Sequence, residues 1–99
     1  MIVVLTPTEP PRLVDLDRLD RLHAELHGTL DGADLGDLCA PADDEHVWLH
    51  VARAREIGVA ASADPAFGDH FDGMIGYATS KGWLDDDGTH VQAHIEPAT

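Results

Sequence analysis

Apolar and polar residues alternate with two different periods along this chain, and the periods predict short strands at both ends with helices between them. Residues 1–5 are a continuous apolar run rich in β-branched side chains, which is typical of a buried strand. Residues 89–96 alternate apolar and polar side chains, so they predict a strand with one wet face. With residues 83–84 and the Asp-rich turn between them, this segment predicts a C-terminal β-hairpin, and the first strand is expected to pair with it.

A series of leucines follows the proline-rich residues 6–11 and predicts the first helix. The leucines recur at steps of three or four residues, which places them on one side of a helix that begins near residue 11 and ends near residue 28. They are Leu13, Leu16, Leu19, Leu22, Leu26 and Leu30. Residues 28–40 mix glycine with aspartate and predict a loop.

Two more helices are predicted in the second half of the chain. The second helix begins within residues 41–44, where acidic side chains favour the positive end of a helix, and it ends at Gly58. The third begins at Pro65 behind the capping residue Asp64 and closes at residues 81–82. Glycines within the third helix lower its stability, and they indicate close approach of another element.

The predicted elements define a single α+β domain over residues 1–96, with residues 97–99 as a short tail. Its fold class is a three-helix domain with an N-terminal strand and a C-terminal β-hairpin. This element order resembles that of winged helix-turn-helix domains, in which the third helix reads DNA. Here residues 64–81 carry three aspartates and one lysine, so they lack the basic and amide side chains that read bases. We therefore expect no direct reading of nucleic acid.

Charge defines the class of partner that the chain is expected to bind. Six Lys and Arg residues stand against 19 Asp and Glu residues, for a formal charge of -13. A surface this acidic repels the phosphates of nucleic acids and lipids and attracts basic proteins. The leading prediction is therefore an acidic accessory module that docks onto another protein and has no chemistry of its own. A tryptophan left exposed beside an acidic rim would mark the docking surface, and Trp48 and Trp83 are the candidates.

Other features of the composition predict where the protein acts. No apolar stretch is long enough for a membrane span, and the single cysteine, Cys39, can form no internal disulfide. A soluble protein of the reducing cytoplasm that does not bind membranes is predicted. A homodimer is left open, either through the glycine-lined third helix or through the edge formed by residues 1–5.

Histidines carry the main alternative function, which is binding of a divalent metal. Three pairs are spaced four residues apart, and two of them fall on predicted helices, where this spacing lets two imidazoles share Zn²⁺, Ni²⁺ or Cu²⁺. The predicted ligands are His23, His27, His46 and His50. The third pair, His90 and His94, lies on a predicted strand, about 13 Å apart and too far for one ion. The competing interpretation is that the helical histidines only bridge apolar surface and water.

A small enzyme is the third hypothesis. His70 has Asp69 and Asp72 as sequence neighbours, and a histidine paired with a carboxylate can act as a general base. The chain shows no nucleophile elbow, no phosphate-binding glycine loop and no dinucleotide fingerprint. Binding without catalysis is therefore favoured over enzymatic activity.

Overall fold

A mixed β-sheet of six strands spans the molecule, and two helices pack on one of its faces. The structure is a computed structural model that describes residues 1–98. The strands are β1 Ile2–Leu5, β2 Arg12–Val14, β3 His23–Leu26, β4 Cys39–Pro41, β5 His46–His50 and β6 His90–Pro97. The helices are α1 Val51–Ala61 and α2 Phe67–Ser80. Neither helix of this part of the chain has the length and apolar character needed to cross a membrane.

The last strand of the chain lies inside the sheet. The strand order is β2-β1-β3-β6-β5-β4, with β3 parallel to β1 and β6 and the other pairs antiparallel. β6 therefore inserts between two strands that both precede the helices in sequence. The edge strands β2 and β4 have three residues each, which leaves little edge for another strand to pair with.

Alternation along the strands separates a core face from an open face. In β5, Val47 and Leu49 are fully buried, whereas His46, Trp48 and His50 are partly exposed. The core face packs against buried side chains of the two helices, which are Ala54, Phe67, Phe71 and Ala78. Both helices therefore lie on the core side, and the other side of the sheet is the open face.

The predicted three-helix, winged-helix-like order is wrong, because the described residues form two helices and six strands. Residues 11–28 form β2, a series of turns and β3 instead of a helix. Directly after β2, Asp15 adopts a positive φ of 52°, which a continuous right-handed helix does not allow. The leucines of this segment still pack on the core, but from two strands and the turns between them. Only the broader α+β class remains.

The predicted second helix begins later than expected. Its first part, residues 46–50, is β5, and α1 begins at Val51. The strand changes into the helix at His50, whose Nδ1 accepts a hydrogen bond from the backbone N–H of Arg53 at 3.1 Å. This acceptor satisfies one of the free amides of the first helical turn.

The other predicted elements are present, but their pairing differs. α2 occupies the predicted third helix, and β1 and β6 occupy the predicted first and last strands. β1 pairs with β2 and β3, so the predicted pairing of the first strand with the last is wrong. The predicted hairpin is reduced to a single bridge between Leu84 and Val91.

The segment predicted as a tail continues the sheet. Pro97 is the last residue of β6, and the N–H of Ala98 donates to the Leu26 carbonyl at 2.8 Å. Residue 99 of the predicted tail lies outside the described residues.

Candidate functional site

Five of the seven histidines lie on the open face of the sheet. His46 of β5 is directly opposite His94 of β6, and His50 is directly opposite His90. On the other side of β6, His23 of β3 is the neighbour of His94. Since paired residues of neighbouring strands share a face, the five side chains form two cross-strand rows. We refer to these five residues as the histidine face.

Imidazole rings of the histidine face contact each other edge to face. The ring centroids of His46 and His94 are 5.4 Å apart, and those of His50 and His90 are 5.0 Å apart. His94 lies between His46 and His23 in its row, so three imidazoles follow one another across three strands. Both β5 and the first part of β6 read His-Val-x-x-His, and this shared pattern is the sequence signal that could have revealed the pairing.

Three rings of the histidine face contact the carboxylate of an acidic side chain at its border. The pairs are His46 with Asp43 at 3.0 Å, His23 with Glu96 at 3.2 Å and His90 with Asp85 at 3.3 Å. The backbone N–H of Glu45 and the ring of His46 hydrogen bond to Asp43 and hold the pKa of its carboxyl below the ordinary value. The backbone N–H of His90 and the groups of Thr89 lower the pKa of Asp85 in the same way.

The predicted metal site loses its geometric basis in this fold. His46 and His50 stand at the two ends of β5, which separates them by about 13 Å along the strand. His23 begins β3 and His27 follows its end, where the His27 ring lies 3.4 Å from Glu25. Neither pair has the helical spacing on which the prediction depended. Within residues 1–98, no group of three or more His, Cys, Asp or Glu side chains is placed to hold Zn²⁺, Ni²⁺ or Cu²⁺.

An open cleft of about 710 Å³ is lined by residues of α2, of β5 and β6, and of the connection from β2 to β3. Its apolar wall consists of Leu19, Leu22, Met74, Ile75, Ala78 and Val91. The polar residues of its lining are Asp20, Arg21, His46, Gln92 and His94. Tyr77 and Trp83 complete the lining, and we call this site the aromatic cleft. A concave, mostly apolar site with a few polar groups is the usual form of a binding site.

Tyr77 and Trp83 stay exposed at the aromatic cleft although both side chains are large and apolar. Tyr77 is 53% exposed and Trp83 is 46% exposed, and their ring centroids are 5.8 Å apart in an edge-to-face contact. The Trp83 N–H donates to the Ala78 carbonyl at 3.0 Å, and the Trp83 carbonyl accepts from the Gln92 N–H at 2.8 Å. The backbone of Trp83 is therefore fixed to α2 and to β6 while its ring is open to solvent.

Three of the six Lys and Arg side chains have an acidic partner within the described residues. The ion pairs are Arg18 with Asp20 at 3.3 Å, Arg53 with Glu56 at 2.6 Å and Arg55 with Asp72 at 2.9 Å. The Nζ of Lys81 lies 5.4 Å from the ring centroid of Tyr77, within the range of a cation–π contact. Asp86 and Asp87 are exposed a few residues after Trp83 and hydrogen bond to no other described residue. These two carboxylates are available to a cation from outside.

His70 pairs with Asp64, and not with its sequence neighbours Asp69 and Asp72. His70 Nδ1 contacts Asp64 at 3.3 Å, and both side chains are at least half exposed and outside the aromatic cleft. The pair that reaches the cleft is His46 with Asp43. An imidazole oriented by a carboxylate has the geometry of a general base, so the enzymatic hypothesis now depends on His46.

Comparison with known proteins finds no match for the chain. No model of a protein family, no curated protein and no solved structure matches it. The function is therefore argued from the site itself.

Proposed function

We propose that this protein is an acidic docking module that binds a positively charged segment of another protein in the aromatic cleft. The observation that carries the proposal is the pair of Tyr77 and Trp83, about half exposed and lining an apolar cleft. Aromatic side chains around a pocket are enriched among the residues that dominate binding energy at protein interfaces. An apolar side chain of the partner would fill the cleft beside the two rings.

The charge of the chain supports a basic partner. A formal charge of -13 attracts a cationic surface over a distance and increases the rate of encounter. Asp86 and Asp87 offer two carboxylates close to Trp83 in the chain. The contact of Lys81 with the Tyr77 ring supports this ring as a surface for a cationic side chain. The partner segment would therefore combine apolar side chains with arginine or lysine.

The lining of the cleft supports an apolar anchor. Six of its residues are aliphatic, and a volume of about 710 Å³ is several times that of one leucine side chain.

We place the docking in the reducing cytoplasm, where the single cysteine stays unpaired.

A pair of synthetic peptides tests the proposal. The first, of about ten residues, carries leucines between arginines, and the second replaces the leucines by serine at the same charge. Isothermal titration calorimetry at low salt is expected to detect binding of the arginine–leucine peptide. We expect the arginine–serine peptide to bind at least about tenfold more weakly, because it has no apolar anchor.

Two substitutions locate the binding. Trp83→Ala is expected to weaken binding of the arginine–leucine peptide by about tenfold or more, because it removes half of the aromatic pair. Val59→Ser is the matched control, since Val59 is also a large exposed apolar residue, 50% exposed, but lies on α1 outside the cleft. Equal affinities of the wild-type and Trp83→Ala proteins, or of the two peptides, would overturn the proposal.

A further inference from the structure

We propose that the aromatic cleft releases its cationic partner in mild acid, because protons bound by His46 and His94 add positive charge to the cleft lining. This inference rests on the proposed docking function and specifies its regulation. Histidine is the side chain whose charge ordinarily changes between about pH 5 and 8.

The position of the two imidazoles carries the inference. His46 and His94 both line the aromatic cleft and lie opposite each other on β5 and β6, with ring centroids 5.4 Å apart. A segment that fills the cleft would therefore lie beside these two imidazoles. His94 also has His23 as its neighbour on β3, so charge added at His94 is next to two further imidazoles.

The carboxylates around this row compensate the charge of some rings and not of others. Asp43 lies 3.0 Å from His46, and Glu96 lies 3.2 Å from His23. His94 forms no ion pair with a carboxylate of residues 1–98. The other charged or titratable groups near the pair are Glu45 before β5, Asp20 and Arg21 from the β2 to β3 connection, and Tyr77 from α2. A proton on His94 is therefore the charge that a cationic partner would meet without compensation.

Protonation also acts over the whole molecule, and the two effects must be separated. If all seven histidines bind a proton, the formal charge changes from -13 to -6, which weakens the long-range attraction of a basic partner. A local effect requires charge within the cleft. Removal of two histidines outside the cleft therefore serves as the control for removal of the two histidines inside it.

Calorimetry with the arginine–leucine peptide, acetylated at its N-terminus, at about pH 7.5 and about pH 5.5 and at constant ionic strength tests the inference, since the acetylated peptide has no group that titrates in that range. The cleft variant is His46→Asn with His94→Asn. The control variant is His27→Asn with His70→Asn, which removes two exposed histidines outside the cleft. Thermal unfolding of each variant at both pH values confirms that it is folded.

We expect acid to raise the Kd of the wild-type protein and of the control variant by about tenfold or more, and that of the cleft variant by about threefold or less. An equal loss of affinity in the cleft and control variants would overturn the inference, because only the long-range effect would remain. Unchanged wild-type affinity between the two pH values would also overturn it, and leaves the docking function intact. Absence of binding at both pH values would instead remove the docking function, and the acid response with it.

Discussion

The side chain of Cys39 is enclosed at the first residue of β4, and its chemistry follows from that position. It is the single cysteine of the chain and belongs to the buried core cluster. Burial raises the pKa of the Cys39 thiol to about 12 by removing water from the thiolate. The thiolate is the reactive species, so the folded protein should hold this cysteine in an unreactive form.

We expect iodoacetamide at about pH 8 to alkylate Cys39 in the folded protein about 100-fold or more slowly than in guanidinium chloride, because both the thiolate fraction and access are low. Mass spectrometry of timed samples measures the two rates. Equal rates would show that β4 opens easily and that its thiol is not enclosed.

At the scale of single residues, the four-residue spacing of histidines predicted a shared face but not a distance. Residues four apart share a face both on a helix and on a strand, because four is close to one helical turn and is also a multiple of two. His46 and His50 do share a face, yet on β5 they are about 13 Å apart. Each instead meets a histidine of β6. These contacts depend on strand pairing between residues 40 and 48 positions apart in the chain, which spacing within one segment does not encode.

At the scale of elements, the leucine series predicted burial correctly and backbone path incorrectly. The six leucines all belong to the core or pack against it. They reach it from β2, β3 and the turns around them, and those turns are rich in aspartate. Aspartate favours turns and caps over helix interiors because its side chain competes for backbone N–H groups. The aspartates between the leucines therefore indicated the backbone path of this segment better than the spacing of the leucines did.

The contact between α1 and α2 depends on one glycine. A Cβ added at Gly58 would lie 2.3 Å from Cε1 of Phe67, whose ring is 2% exposed and enclosed by the core. Gly58→Ala is therefore expected to lower the free energy of unfolding by about 2 kcal/mol, because either the ring or the helix must move.

Gly76→Ala is the matched substitution in α2 and should have the opposite sign. The close approach expected around the glycines of this helix is absent at Gly76, where an added Cβ meets no atom within 4 Å. Alanine there should stabilise the protein by up to about 1 kcal/mol, since it restricts the unfolded chain and favours the helix. Urea unfolding followed by circular dichroism measures both changes. A Gly58→Ala protein that is as stable as the wild-type protein would contradict the assignment of Gly58 as the tight contact.

At the scale of the whole molecule, the sequence predicted one α+β domain but not its sheet. β6 pairs with β3 and β5, which lie on opposite sides of it and precede both helices. The predicted hairpin kept the last strand next to its sequence neighbours, and such local pairing is the only kind that turn signals support. The histidine face and part of the aromatic cleft exist only because β6 takes this inner position, which turn signals do not predict.

Repulsion between acidic side chains also acts over the whole molecule, and it predicts how the stability of the protein responds to salt. With 19 acidic and six basic residues, most carboxylates have no basic residue available to them, so the folded state brings like charges together. Salt screens this repulsion as well as the ion pairs. The ion pairs are exposed to water, which weakens the attraction within each of them, so the repulsion should determine the sign of the change.

We therefore expect Tm to rise by about 4 °C or more between about 20 mM and about 300 mM KCl at neutral pH, which for a domain of this size corresponds to about 1 kcal/mol. The double variant Asp86→Asn with Asp87→Asn removes two exposed carboxylates that make no hydrogen bond to another described residue. It should raise Tm at low salt and have little effect at high salt, because screening has already removed the same repulsion. A wild-type Tm that falls as salt is added would contradict this prediction, because it would mean that the ion pairs contribute more to stability than the repulsion does. The electrostatic attraction in the docking proposal would then be measured directly, through the salt dependence of the affinity for the arginine–leucine peptide.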